Sequence, residues 1–91
     1  MQSVAEQLRK WREQRKLTVY DVAGATKIRT DHVRALEEGD YRVFAAPVYI
    51  RGFVRSYGNL LKLDVPNLMA ALEGELAEIK EFNEPSRLGG K

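Results

Sequence analysis

Apolar side chains recur at three- and four-residue spacing along most of the chain, the period of an amphipathic helix, and no stretch alternates as a strand does. Val4, Leu8 and Trp11 make the first stripe; Val19, Val22 and Ala23 the second; Val33 and Leu36, with Ala35 beside them, the third. Placed at 100° per residue, Tyr49, Ile50, Phe53, Val54, Tyr57, Leu60 and Leu61 fill one arc of about 140°. Leu68, Met69, Leu72, Leu76 and Ile79 carry the pattern to about residue 82. The periodicity predicts five helices, at about residues 4–15, 18–25, 30–38, 47–62 and 65–82, in one domain over 1–82. Residues 83–91, which include Pro85 and a polar, glycine-rich end, are expected to be a flexible tail leading to a linker.

Helix starts and stops agree with this division. Ser3 with Glu6, and Thr18 with Asp21, are capping-box pairs. Gly39 stands where a left-handed residue ends a helix, and Pro47 and Pro66 suit first turns. Ile28 is apolar within a polar turn and is expected to plug the core. Gly52 and Gly58 thin the side of the fourth helix opposite its arc. Glu37 and Glu38, adjacent on a helix and so not facing each other, read as solvated.

Charge adds an asymmetry. Residues 1–62 hold 12 Lys/Arg against 7 Asp/Glu, a net of +5, and residues 63–91 hold 3 against 6, a net of −3. A basic front half suits an acidic or polyanionic partner or a solvated surface. Chemistry is sparse. Without cysteine there is no disulfide, zinc-thiolate site or cysteine nucleophile. His32 is the lone histidine, no glycine-rich phosphate loop opens a helix, and no carboxylates cluster at ligand spacing. No enzyme activity, metal or cofactor is expected. No apolar run approaches the roughly 20 residues of a membrane span, and no signal-peptide pattern is present. A soluble fragment is expected.

Residues 17–39, with Leu17, Thr18, Ala23, Thr26, Ile28, Leu36, Glu37 and Gly39 at matching positions, resemble the helix-turn-helix of the Xre/Cro (lambda-repressor-like) type. A wider pattern resembles the cytoplasmic domain of RodZ-like bacterial cell-shape proteins. It comprises Thr26-Lys27-Ile28, the run from Ala35 to Tyr41, the run from Pro47 to Tyr57, and Leu63-Asp64. This resemblance covers roughly residues 3–73. Ala45-Ala46 replaces the leucine usual before the helix-4 proline, and Lys16 stands where a glycine is usual.

The resemblance implies an all-α, five-helix bundle containing a helix-turn-helix. It implies a docking module that binds the actin-like filament protein MreB and ties it to the inner membrane, with a membrane span further along the full-length protein. Carried onto this sequence, Tyr49, Phe53 and Tyr57 are the contact aromatics and Arg51 and Arg55 the adjacent charges. Phe53 and Tyr57 are expected to be anchors. The sealed alternative is that all three aromatics fill the core; the resemblance instead implies that at least one is exposed while Ile50, Val54 and Leu61 point inward. The other reading is a sequence-specific DNA-binding domain of an Xre-family regulator, using Arg29, Thr30 and Arg34. Against it, Val19 stands where DNA readers place a glutamine, and Asp31 near the start of the third helix repels phosphate.

Overall fold

A computed structural model describes residues 2–83; the tail expected over 83–91 lies outside the described residues except for Asn83. The described chain is helical, with α1 Val4–Gln14, α2 Val19–Thr26, α3 Thr30–Glu38, a 3-10 turn Tyr41–Val43, α4 Pro47–Leu60, α5 Val65–Ala77 and α6 Lys80–Asn83.

Local chemistry sets these limits. Ser3 Oγ accepts from the Glu6 amide at 3.1 Å while Glu6 Oε1 accepts from the Ser3 amide at 3.0 Å. Thr18 and Asp21 repeat the arrangement at α2, at 3.0 and 2.8 Å. Asp64 accepts from the Asn67 amide to start α5, and Pro47 occupies the first turn of α4. Gly39 ends α3 at φ 70°.

Two helices stop earlier than the pattern predicts. α4 ends at Leu60 because Lys62 turns left-handed, and the expected helix 5 divides after Ala77. There Glu78 and Ile79 donate to the carbonyls three residues back, at 3.1 and 3.0 Å, which tightens and closes the α-helix. α6 then starts afresh, and Ile79 and Phe82 pack on the core.

The core is a single cluster. Val4 and Leu8 of α1, Val22 of α2, Ile28 of the turn, Val33 and Leu36 of α3, Ile50, Val54 and Tyr57 of α4, Leu61, and Leu68 and Leu72 of α5 are all essentially sealed. α1 packs on α3, α2 packs on α3 and α4, and α4 packs on α5. Gly58 sits at the last of these contacts. A β-carbon there would lie 2.7 Å from Leu68 Cδ2 and 3.4 Å from Val65 Cγ2, so α5 reaches the α4 backbone only because the side chain is missing. Gly52 is different: a β-carbon there meets nothing within 4 Å.

Glu37 departs from the solvated reading. It is 8% exposed and joins three elements. Arg12 grips it with two bonds, Nε to Oε2 at 2.6 Å and NH2 to Oε1 at 3.0 Å, while Arg12 NH1 donates to the Leu17 carbonyl at 2.9 Å. The Tyr57 hydroxyl donates to the same Glu37 Oε2. A buried carboxylate persists only when paired and hydrogen-bonded, and Glu37 is both. Glu75 forms a second clasp, accepting from the Val4 amide and the Tyr41 hydroxyl, each at 2.8 Å.

Candidate docking surface

The first half of α4 supplies the surface. With Ile50 and Val54 turned into the core, the 100° helical step carries Val48 and Tyr49 outward. Val48 is 63% and Tyr49 54% exposed, two of the four large hydrophobic side chains that the described fold leaves in water. One turn on, Phe53 is half-buried. Its ring lies 5.7 Å from that of His32 on α3 and 5.8 Å from that of Phe44, and His32 and Phe44 are 4.8 Å apart. This tilted aromatic trio roots the start of α4 on α3. Its outer rim continues as the exposed Tyr49 and Val48.

The five residues expected at the contact therefore separate. Tyr49 is at the surface and Phe53 at the rim. Tyr57 is sealed, with no exposed surface. The expectation that Tyr57 anchors a partner is corrected: its ring fills the core and its hydroxyl is engaged by Glu37. Arg51 is not a free charge either. It forms a bidentate pair with Glu73 of α5, at 2.6 and 3.1 Å. Glu73 hydrogen bonding holds the Arg51 guanidinium above its ordinary value, and the Arg51 bond in turn lowers the Glu73 carboxyl. Arg55 is exposed and in no ion pair among the described residues.

The residues of the DNA-reading alternative are placed differently. Arg29 pairs with Asp31 through two 3.2 Å bonds. Arg34 donates to the Tyr20 hydroxyl at 2.8 Å and lies 5.4 Å from that ring. Thr30 is half-buried as the first residue of α3. Arg29, at the N-cap of the would-be recognition helix, and Arg34 within it thus have partners within the domain.

Val48 and Tyr20, 64% exposed, are surface features that the apolar stripes did not pick out. Their signal was an apolar side chain lying outside the arc that its own helix buries. Small residues continue the α4 surface toward α2: Ala25 and Thr26 line a shallow cleft with Ser56, Asn59 and Leu60.

A family model described as a helix-turn-helix domain matches residues 7–68. The match runs from α1 through α2, α3 and α4 into the start of α5. Among curated proteins, the chain is 35% identical over 52 residues to the "Uncharacterized membrane protein YmfM" of Bacillus subtilis (strain 168). That alignment covers 57% of this chain and 18% of the relative, so the chain spans less than a fifth of that protein's length. No solved structure matches the chain. Among the described residues, no helix is long and apolar enough to cross a membrane. With a match that takes in most of the chain and all of α2, the turn and α3, the protein belongs to this helix-turn-helix domain family.

Proposed function

We propose that this domain is the cytoplasmic docking module of a RodZ-like cell-shape protein, which binds an MreB-like actin homologue and ties it to the inner membrane. In this reading a membrane span follows in a longer chain. The observation that carries it is the exposed pair Val48–Tyr49 at the start of α4, beside the half-buried Phe53. The fold has no use for these two side chains, and apolar surface left in water beside a rigid aromatic base suits a protein partner. Arg55, exposed and in no ion pair among the described residues, lies two turns on from Val48 on the same side of α4 and suits a carboxylate on the filament. Further support comes from the Bacillus subtilis relative, which is named a membrane protein and of which the aligned part is 18%. The engagement of Arg29 by Asp31 and of Arg34 by Tyr20 weighs against base reading from α3.

The test is an amide NMR titration of the domain with the MreB-type protein of the same organism, with mixed-sequence duplex DNA in a parallel tube. Shifts centred on Val48, Tyr49 and Phe53 with the filament protein are expected. Salt-resistant shifts at Arg29, Thr30 and Arg34 with DNA, and none with the filament protein, would restore the regulator reading.

A further inference from the structure

The two poles of the domain differ in charge. Glu75, near the end of α5, accepts from the Val4 amide at the start of α1, so these two helices run antiparallel. Away from that end, Arg12 near the end of α1 and Tyr57 near the end of α4 both reach inward to the buried Glu37. The next residue, Gly58, lies against Val65 and Leu68 at the start of α5. The ends of α1 and α4 and the start of α5 therefore share one pole. It presents Lys10, Arg15, Lys16 and Lys62, all exposed and none in an ion pair among the described residues; these cations outnumber the exposed carboxylates of Glu13 and Asp64 there. The opposite pole carries Glu38, Glu75 and Glu78, against Arg42, around one cleft.

Two of these lysines stand where the backbone favours glycine. At the end of α1, Lys16 donates to the Glu13 carbonyl and Leu17 to that of Arg12, at 3.0 and 3.1 Å. At the end of α4, Lys62 donates to Asn59 and Leu63 to Gly58, at 3.1 and 3.0 Å. Both lysines have φ 59°; Lys27, after α2, is also left-handed at φ 64° but closes no such pair of bonds. α3 closes with the same pair of bonds, but there the left-handed residue is Gly39. The chain thus builds one motif with glycine near the acidic pole and with lysine, at a cost in backbone strain, twice at the basic pole. A lysine there gains something from the helix dipole, yet its ammonium stays in water. Lys10 Nζ and the Arg15 guanidinium also lie 5.3 and 5.4 Å from the centre of the Trp11 ring, which supports both cations at this pole.

We propose that this pole is a contact surface for the anionic headgroups of a lipid bilayer, an inference that rests on the membrane tethering proposed above. Cations on flexible stems, spread over the end of a helical bundle, complement a diffuse anionic plane. A duplex would instead be read from α3, whose Arg29 and Arg34 are engaged by Asp31 and Tyr20. With the lysine pole on the bilayer, the like-charged acidic pole faces away.

The experiment mixes the chain with phosphatidylglycerol-rich vesicles, pure phosphatidylcholine vesicles and duplex DNA, and follows co-sedimentation and the emission of Trp11, the one tryptophan. Salt-sensitive binding to the anionic vesicles alone, with a change in Trp11 emission, is expected. The double variant Lys16→Gly, Lys62→Gly should bind about tenfold more weakly or worse. It should keep its helical circular dichroism, since Gly39 closes the same motif. Binding to neither vesicle, equal binding to both, binding indifferent to the double variant, or tighter binding of DNA through the same lysines would overturn the proposal. Tyr49→Ala should leave vesicle binding unchanged, so failure of filament docking and failure of lipid binding are read separately.

Discussion

The Tyr57 hydroxyl donates to the carboxylate of Glu37, twenty residues earlier in the chain, and Arg12 holds the same carboxylate from the other side. Three helices thus share one polar contact inside an apolar core. The contact also explains why an aromatic that reads as a surface anchor is unavailable to a partner.

Removing parts of this clasp should give unequal losses. Tyr57→Phe keeps the ring and deletes one donor, for an expected loss of about 1–2 kcal/mol. Glu37→Ala leaves the Arg12 guanidinium without its partner, for an expected loss of about 3–5 kcal/mol. Urea unfolding followed by circular dichroism measures both, and equal losses would contradict the assignment of Glu37 as the hub.

Alkaline pH should loosen the fold. Burial, reinforced by the hydrogen bond to Glu37, pushes the Tyr57 phenol well above its ordinary value, and burial with the bond to Glu75 does the same at Tyr41. A raised folded-state pKa stabilises fully below the unfolded value and is lost as pH rises. The unfolded chain releases these protons above about pH 10 while the folded chain retains them. The urea midpoint should therefore fall above that pH, and fall less steeply in Tyr57→Phe. A midpoint that stays flat through this range would contradict the account.

Two glycines on one helix should respond with opposite signs. Gly52→Ala adds a methyl into open space and should stabilise the domain by about 1 kcal/mol. Gly58→Ala pushes into Leu68 and Val65 and should destabilise it by about 1–3 kcal/mol. Thermal melts of the two variants decide the matter; a stabilised Gly58→Ala would mean that α5 yields easily.

How much of this was legible from the residues depends on the range of the interaction involved. The caps at Ser3 and Thr18, the stop at Gly39 and the inward Ile28 are short-range matters of hydrogen-bond reach and local apolar context, and the pattern holds them. The all-helical character follows from the 3.6-residue period in the same way. Burial of Glu37 depends on Arg12, 25 residues earlier, and on Tyr57, and no local spacing announces that meeting. The α4 arc was visible, but which of its rims is sealed depends on where α3 and α5 land. That placement put Tyr57 inside and left Tyr49 out. The pairing of Arg51 with Glu73 depends on the same α4–α5 contact. The break after Ala77 is a choice between hydrogen bonds to the third and fourth carbonyl back, which apolar periodicity does not encode.

Val48 and Tyr49 make little contribution to the fold, so truncating them should separate stability from docking. Tyr49→Ala should change unfolding stability by less than about 0.5 kcal/mol, and Val48→Ala likewise. Differential scanning calorimetry of the free domain checks this; a large loss would place both side chains in the packing instead of on a docking face.

The proposed docking face is the exposed start of α4. The most direct measurement is the affinity of the domain for the MreB-type filament protein, compared between the native chain and Tyr49→Ala by calorimetric titration. Measurable binding by the native chain is expected, with a loss of about 1–2 kcal/mol, or roughly 5- to 30-fold, in the variant with its fold intact. Equal binding by the two chains would remove Tyr49 from the site, and absence of binding by the native chain would contradict the docking function itself.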